Sequence, residues 1–427
     1  MRDSRKQWET TTLGQHVDVQ TGYPFKSQRY TDDPSGVRLL RGDNIIQGRL
    51  RWNGVKRWRS ADSEDYAAYF LAPGDVVIAM DRPWIEAGLK YACIGDRDLP
   101  CLLVQRVARL RGANGLRTGF LRYLIAHQAF TDYVKGVWTG VAVPHISETQ
   151  IRAFRIALPP IPVQEQIEKM LSAYDALIEN NTRRIAILEE MARLVYREWF
   201  VNFRFPGHEK VGVVPSKLGH IPCGWSLGTV SDLIDIQREG IMPSSYPDER
   251  FLHFSIPAFD ETQLPRSEAG SEILSNKYLV QRSSILISKL NPRIKRLWYA
   301  FIEGPTRAIA STEFLVLRAK AEGTESFVYE LLQSRDFQDR FVGLALGTST
   351  SHQRVKPSDF EGIELLIPHE SVVREFCQIV TPMIQAIDIA RRSIANVRQT
   401  RDFLLPRLIS GEINVEQVRT ETASQRS

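Results

Sequence analysis

The sequence contains one pattern twice, and the two copies lie about 210 residues apart. Short motifs recur in the same order along both copies. The matching positions are Trp8 and Trp225, 17–20 and 234–237, 74–78 and 283–287, Phe120 and Phe327, Phe130 and Phe337, Gly140 and Gly347, His145 and His352, and 158–159 and 367–368. Any single match could arise by chance, but their collinear order predicts a duplicated unit.

Each copy mixes strand and helix patterns and ends in a long helix. Short β-rich runs such as GDVVIAM and SSILISKL precede helical spacing in GFLRYLIAHQAFTDYVKG and SFVYELLQSRDFQDRFVG. We expect an α+β fold in which two mixed α/β domains are separated by two long antiparallel helices forming a coiled coil. The expected boundaries are 1–160 for the first domain, 161–204 for long helix 1, 205–368 for the second domain, 369–412 for long helix 2 and 413–427 for a flexible tail.

The two long helices carry the clearest pattern in the chain. Their apolar residues alternate steps of three and four, which is the a/d rhythm of a coiled coil. The predicted seam of long helix 1 comprises Ile167, Leu171, Tyr174, Ile178, Ile185, Leu188, Ala192, Val195 and Trp199. The predicted seam of long helix 2 comprises Phe376, Val380, Met383, Ile387, Ala390, Ile394, Val397, Arg401, Leu404 and Leu408.

Three prolines and one asparagine modify this prediction. Pro162 suits the start of long helix 1, and Pro406 is expected to end the regular part of long helix 2. Pro382 conflicts with an unbroken helix and predicts a kink or a separate segment over 370–380. Asn181 falls at a seam position, where it either sets the helix register or is simply solvated.

Positive charge is concentrated in the first domain. The net charge is +5 overall, but residues 1–160 carry +7 and residues 211–368 carry −2. A basic excess supplies the sequence-independent attraction to phosphate that DNA binding needs. The second domain would therefore depend on local clusters of cations.

Two basic runs are candidate DNA contacts, because Lys and Arg neutralise phosphates and Arg also reads guanine. The alternative for the first run is a solvated hairpin with its tryptophans packed underneath. The candidates in the two runs are Arg49, Arg51, Lys56, Arg57 and Arg59, and Lys289, Asn291, Arg293, Lys295 and Arg296.

Two polar loops at matching places in the repeat are further candidates. Hydroxyl and amide side chains bond to the DNA backbone or to base edges, although an ordinary polar connection fits the same composition. Neither histidine has a suitable metal-ligand partner nearby in sequence, so we expect polar loop residues and no metal site. The candidates are Thr139 and His145 in the first loop, and Thr348, Ser349, Thr350, His352, Gln353 and Arg354 in the second.

Helix length predicts a split DNA target. A helix from Ile167 to Trp199 is roughly 50 Å long at about 1.5 Å per residue. Successive major-groove faces on one side of DNA are about 34–36 Å apart. Domains at opposite ends of such a rod would contact DNA about one to one and a half turns apart and leave the bases between them unread.

Motifs of common enzymes are missing from the sequence. It has no G-x-x-x-x-G-K-[ST] phosphate loop, no Asn/Asp-Pro-Pro-aromatic string, no H-E-x-x-H and no G-x-S-x-G. The four cysteines form no C-x-x-C pair and are expected to be buried thiols. We therefore expect no catalytic residue and no cofactor in this chain. The lack of a secretory or membrane-spanning apolar segment predicts a cytoplasmic location.

Four segments resemble the specificity subunits of type I restriction-modification systems. They are LPPIPVQEQI at 158–167, REWFVNFRFPGHE at 197–209, IPCGWSLGTVSDL at 221–233 and RDFLLPRLISGEI at 401–413. The resemblance covers the whole architecture, although its specific motifs lie only in the helices and domain borders. Within the two domains it does not indicate which DNA sequence is read.

The resemblance implies roles for each part of the chain. Each domain would be a target-recognition domain for one half of an asymmetric site on double-stranded DNA. The helices would act as a spacer and as a docking surface for two methyltransferase subunits, which transfer methyl from S-adenosylmethionine to adenine N6. Motor-nuclease subunits can join such complexes.

Two other functions remain open from the residues alone. One is a coiled-coil scaffold or repressor that binds a split site without modifying it. The other is a nuclease or methyltransferase fused to recognition domains, although the two repeats leave little room for a further catalytic region.

Overall fold

A computed structural model describes residues 8–138, 144–217, 219–345 and 353–413. The chain divides into two compact units. The first unit combines residues 1–176 with 398–427, and the second comprises residues 177–397. Each unit therefore includes part of both long helices, whereas the sequence pattern treats the helices as separate segments.

The first unit is built on a four-stranded antiparallel sheet and a smaller mixed sheet. The strand Val76–Ala79 is buried along its whole length, as its run of β-branched residues predicts. The large sheet has the order Tyr91–Cys93, Val76–Ala79, Val107–Gly112 and Val17–Thr21. The mixed sheet joins Cys101–Leu103, Val37–Leu40 and Arg57–Trp58. Shorter pairs join Glu9–Thr12 to Arg155–Leu158, Ile45–Ile46 to Arg49–Leu50, and Trp84–Ile85 to Gly88–Leu89. The α-helices are Thr118–Ala126, Gln128–Gly136 and Glu148–Ala153.

The second unit repeats this plan. Its four-stranded antiparallel sheet has the order Leu297–Tyr299, Ile285–Ser288, Phe314–Ala319 and Ile234–Gln237. Its five-stranded sheet joins Gly240–Ile241, Lys277–Val280, Ala308–Ser311, Arg250–Phe254 and Arg266–Ala269. Two further pairs join Ser226–Thr229 to Glu364–Ile367 and Val213–Ser216 to Gly219–Pro222. The shorter α-helices are Val230–Leu233, Ile256–Thr262, Glu325–Gln333, Arg335–Gly343 and Pro357–Glu361.

The predicted duplication is visible in the strand order of these sheets. In both units the four-stranded sheet runs third, second, fourth and first strand along the chain. The parallel pair of the adjacent sheet also recurs, as Val37–Leu40 with Cys101–Leu103 and as Arg250–Phe254 with Ala308–Ser311. The repeated phenylalanines occupy matching helices and are buried in each unit.

Long helix 1 spans Ile161–Tyr196, and a π-helical turn at Arg197–Val201 follows it. Long helix 2 spans Glu370–Ile409. Every predicted seam residue of both helices is buried or half-buried. In the first unit, the seam residues Ile167, Leu171, Leu404 and Leu408 belong to one apolar cluster. In the second unit, the cluster contains Ala192, Val195, Trp199, Phe376 and Val380. The start of each helix thus packs beside the end of the other, which is antiparallel pairing.

The proline predictions had mixed outcomes. Pro162 is the second residue of long helix 1, as predicted. The expected separate segment before Pro382 and the expected end at Pro406 were wrong, because long helix 2 continues through both positions. Both prolines are exposed, as are Gln378 and Asp402 four residues before them. The carbonyl groups that lose an N–H partner can therefore bond to water, which makes each proline tolerable.

Asn181 participates in the pairing of the helices. Its Nδ2 donates a hydrogen bond of 3.3 Å to Oγ of Ser393 on long helix 2. Of the two interpretations left open by the sequence, this contact favours the polar residue that sets the register.

Candidate nucleic-acid interface

The first basic run forms a hairpin and an adjoining strand in the first unit. Arg49, Arg51 and Arg59 are exposed, and Arg51 also donates a long hydrogen bond of 3.4 Å to the carbonyl oxygen of Asp43. Nζ of Lys56 instead lies 2.9 Å from Oδ1 of Asp32. Arg57 Nη1 donates a 2.8 Å hydrogen bond to the carbonyl oxygen of Gly36, so this side chain helps to hold the sheet edge.

The two tryptophans of this run are structural. Trp58 is 2% exposed and packs edge-on against Phe25, with 4.9 Å between ring centroids. Trp52 Nε1 donates a 2.7 Å hydrogen bond to Oδ1 of Asp98. The packed-hairpin interpretation thus holds for the tryptophans and for Arg57, and three exposed arginines remain as candidate contacts.

The second basic run divides in a similar way. Arg296 is 9% exposed and forms two hydrogen bonds, of 2.7 and 2.8 Å, with the carboxylate of Asp260. Lys295 Nζ donates to the carbonyl oxygen of Gln333 at 3.1 Å. Lys289 and Asn291 are half-buried, and Arg293 is exposed. Arg293 is therefore the cation of this run that is best placed to meet a phosphate.

The first polar loop leads back to the end of a central strand. Nδ1 of His145 lies 2.7 Å from Oδ1 of Asp81, whose other oxygen accepts a hydrogen bond from Arg106. Burial alone would raise the pKa of Asp81, but the hydrogen bonds from His145 and Arg106 outweigh it and lower that pKa. His145 is thus held by a carboxylate that stays ionised, as expected of a polar loop residue.

In the second polar loop, Arg354 forms two hydrogen bonds of 3.0 Å with Glu313. The carbonyl oxygen of Gln353 accepts a 2.8 Å hydrogen bond from the backbone N–H of Asn291. The remaining candidates of the two polar loops lie outside the described residues; they are Thr139, Thr348, Ser349, Thr350 and His352.

The structural counterpart of His145 is Arg354, so the sequence match of His145 with His352 was wrong. His145 forms an isolated β-bridge with Asp81, and Arg354 forms the equivalent bridge with Leu290. Asp81 and Leu290 are 209 residues apart, and so are His145 and Arg354. The same offset relates the preceding strands, Val76–Ala79 and Ile285–Ser288. The offset of 207 relates Val107–Gly112 to Phe314–Ala319 and holds through the two helices that follow each of these strands.

Sequence reasoning missed two cations that lie near Arg51. Burial lowers the pKa of Lys90, and the guanidinium groups of Arg82 and Arg51 add to this shift, although the nearby carboxylates of Asp43 and Asp81 oppose it. The backbone explains this proximity, because the hairpin preceding Arg51 pairs with the strand that follows Lys90, with Gly48 N–H donating 2.9 Å to the carbonyl oxygen of Tyr91. Arg51, Arg82 and Lys90 thus lie near one another in the first unit, together with the carboxylates of Asp43 and Asp81.

Other kinds of site find little support in the described part of the chain. Among those residues, no group of three or more His, Cys, Asp and Glu side chains is arranged to hold a metal ion. Cys101 and Cys377 are buried as expected, but Cys223 is exposed, so burial of all four thiols was a wrong expectation. No described helix is both long enough and apolar enough to cross a membrane.

Comparison with known proteins identifies related chains. Residues 5–190 match the family model described as the type I restriction modification DNA specificity domain. The EcoAI specificity subunit of Escherichia coli is 38% identical over 174 residues, which are 40% of this chain and 28% of that subunit. The MjaIX specificity subunit of Methanocaldococcus jannaschii is 25% identical over 316 residues, 71% of each chain.

A solved structure shares the fold. The crystal structure of the type I restriction-modification S subunit from M. genitalium aligns with a TM-score of 0.60. The alignment covers 96% of this chain and 98% of that chain at 12% sequence identity, so it concerns the fold alone. The sequence matches to the family model and to the curated relatives thus show that this chain is similar to the specificity subunits of type I restriction-modification systems, most clearly over residues 5–190.

Proposed function

We propose that this chain gives a type I restriction-modification complex its DNA sequence specificity. It would read a bipartite, asymmetric target on double-stranded DNA and direct partner methyltransferase subunits to that target. The observation that carries the proposal is the duplicated unit with its antiparallel helix pair, in a chain whose relatives are named specificity subunits.

The duplicated unit accounts for a target with two different halves. Both copies keep the same four-stranded sheet, but their second sheets and their exposed residues differ. The first unit exposes Arg51 and Arg82 near the half-buried Lys90, whereas the second exposes Arg293 beside a loop held by Arg354. Exposed cations in each unit attract DNA phosphates, and the side chains that differ between the two units read different bases. One chain would therefore recognise an asymmetric sequence.

The long helices supply the connection and a surface for partners. Long helix 1 buries one face against long helix 2 and leaves an apolar stripe of Ile187, Met191 and Leu194 exposed. Residues spaced by four and three lie on one side of a helix. We assign this stripe to docking of methyltransferase subunits, because exposed apolar patches mark protein contacts.

We further propose that the chain itself is not catalytic. Two methyltransferase subunits would bind S-adenosylmethionine and modify adenine N6, and motor-nuclease subunits would join when cleavage is required. The whole complex would act in the cytoplasm. The alternative is a coiled-coil scaffold or repressor that binds a split site and modifies nothing; no observation on the described residues favours it.

The test is methylation mapping with purified components. The chain would be combined with the methyltransferase encoded beside it, and methylated adenines would be mapped on genomic DNA. The chain alone should transfer no methyl group, the methyltransferase alone should show no sequence preference, and the mixture should methylate one gapped, asymmetric motif. Transfer by the isolated chain would refute the non-catalytic role. Site-specific binding without methylation in the mixture would favour the repressor.

A further inference from the structure

A loop follows the buried central strand of each unit, and the two loops begin with the same backbone conformation. They differ further along, because Trp84–Ile85 pairs with Gly88–Leu89, whereas the backbone N–H of Ile294 donates 2.8 Å to the carbonyl oxygen of Asn291 in a turn. The loop begins at Arg82 in the first unit and at Asn291 in the second, where φ is +45° and +49°. A buried proline follows each of these residues, at Pro83 and Pro292. Left-handed backbone is uncommon outside glycine, so its presence at both equivalent positions marks a conformation that both copies require.

Matching hydrogen bonds hold the two loops in place. The backbone N–H of Arg82 donates to the carbonyl oxygen of Pro144 at 2.7 Å, and that of Asn291 donates to the carbonyl oxygen of Gln353 at 2.8 Å. Two residues earlier, the carbonyl oxygen of Met80 accepts a 2.9 Å hydrogen bond from the backbone N–H of Ile146. In the second unit, the carbonyl oxygen of Lys289 accepts one of 3.0 Å from the backbone N–H of Val355. These contacts tie each loop to its sheet, so that the loop presents its outer residues rigidly.

Each loop exposes an isoleucine at the same position. Ile85 is 45% exposed in the first unit and Ile294 is 50% exposed in the second. The preceding residues differ, being Trp84 and Arg293. A single exposed apolar residue is ordinary on a protein surface, but the same residue at the equivalent outward position of both copies, on a fixed loop, needs a further reason.

Both isoleucines lie close in sequence to exposed arginines. Arg82 and Lys90 belong to the same loop as Ile85 and lie near Arg51, in surroundings that also include the carboxylates of Asp43 and Asp81. In the second unit, Arg293 directly precedes Ile294 and is exposed. An apolar side chain beside cations is complementary to a duplex, which presents phosphates at the edges of a groove and thymine methyl groups or base faces inside it.

We infer that Ile85 and Ile294 make apolar contacts with the bases of the two half-sites, one isoleucine in each half. This inference rests on the proposed function and adds the residues through which each unit touches base pairs. The flanking cations anchor the DNA backbone, and the left-handed residue with its proline directs the isoleucine into the groove.

The experiment measures binding of the assembled complex to a labelled duplex that carries its mapped target. Ile85→Ala and Ile294→Ala are each expected to weaken binding about tenfold, since each removes most of an apolar side chain from a contact. The salt dependence of binding should stay unchanged, because no phosphate contact is lost, whereas Arg293→Ala should reduce the slope by about one. Leu274→Ala, at a residue that is 81% exposed in the second unit, is the matched control and should bind normally.

A second arm assigns each isoleucine to its half-site. Base substitutions in one half of the duplex should weaken binding of the Ile294→Ala complex less than they weaken binding of the unsubstituted complex. Base substitutions in the other half should have the same reduced effect on the Ile85→Ala complex. Unchanged affinity for both variants in fully assembled complexes would overturn the inference while leaving the proposed function intact. Loss of methyltransferase assembly in these variants would also overturn it, because it would assign the isoleucines to a protein contact. Failure of the unsubstituted complex to bind any specific duplex would instead refute the proposed function.

Discussion

Asp175 on long helix 1 and Arg401 on long helix 2 form an ion pair, with Oδ1 and Nη1 2.8 Å apart. Asp175 also accepts hydrogen bonds from Tyr123, at 2.9 Å, and from Arg122. One carboxylate thus connects both long helices to a helix of the first unit. This contact explains why a charged residue, Arg401, occupies a seam position that would otherwise be apolar.

Removal of this cation should weaken the first unit. Both side chains are partly buried, at 26% and 28% exposure, so Arg401→Ala should lower the free energy of unfolding by about 1–3 kcal/mol. Arg335→Ala is the matched control, because its partner Asp339 is four residues away on an exposed helix face and the pair should contribute little. Chemical denaturation of both variants is the measurement. Equal effects would contradict the assigned role of Arg401.

The buried seam of the second unit can be tested on a single helix. Ile387 is 5% exposed and Ile389, two residues later, is 66% exposed. Ile387→Asp should destabilise the protein by about 3 kcal/mol or more, because it places an unpaired charge in an apolar seam. Ile389→Asp should leave the unfolding transition nearly unchanged. Stable, assembled protein from Ile387→Asp would argue against the packed seam.

The polar contact between Asn181 and Ser393 should lower stability in exchange for a defined register. Asn181→Leu is therefore expected to raise the thermal midpoint and to permit alternative pairings of the helices. Denaturation measures the first effect, and cysteine cross-linking between the helices measures the second. A lower midpoint with a single cross-linked register would contradict this role.

Glu330 should make stability depend on pH. Its side chain is buried in the second unit, with Oε2 lacking a hydrogen-bond partner there, and burial raises its pKa from 4.5 to about 7 although Lys295 and Arg193 oppose the shift. Between these two values the unfolded chain has released this proton while the folded chain still holds it. Stability contributed by this group is therefore complete below pH 4.5 and declines as the pH rises to about 7.

Glu330→Gln removes this titration. The variant should lose the decline and be about 2–3 kcal/mol more stable than the unsubstituted chain at pH 8, relative to their difference at pH 4.5. Glu364→Gln, at an exposed position, should keep the original pH profile. Unfolding free energies of the three proteins at several pH values test this. Parallel profiles for the unsubstituted chain and Glu330→Gln would contradict the burial of an uncompensated carboxyl group.

Local patterns made the long helices and the repeat predictable. The alternating apolar steps depend only on neighbouring turns of one helix, so residues such as Ile167 and Leu408 could be assigned to the seam from spacing alone. The prolines misled because the effect of Pro382 depends on whether the freed carbonyl group faces water, which spacing does not indicate.

The candidate DNA interface was harder to predict, because its residues come together only in three dimensions. Arg296 belongs to a dense basic run, yet its guanidinium is paired with Asp260, 36 residues earlier. Arg51, Arg82 and Lys90 come from separate segments that pairing of the chain near Gly48 and Tyr91 brings together. The shared Pro83 and Pro292 could have revealed the equivalent loops if the copies had been aligned at the offset of the strands.

The most direct test of the account is exchange of one unit's recognition region. Residues 215–368 would be replaced by the corresponding region of another specificity subunit, and the adenines methylated by the resulting complex would be mapped. The account predicts that one half of the methylated motif changes while the other half and the unread spacer stay the same. A change in both halves, in a complex that assembles normally, would contradict two separable readers in one chain.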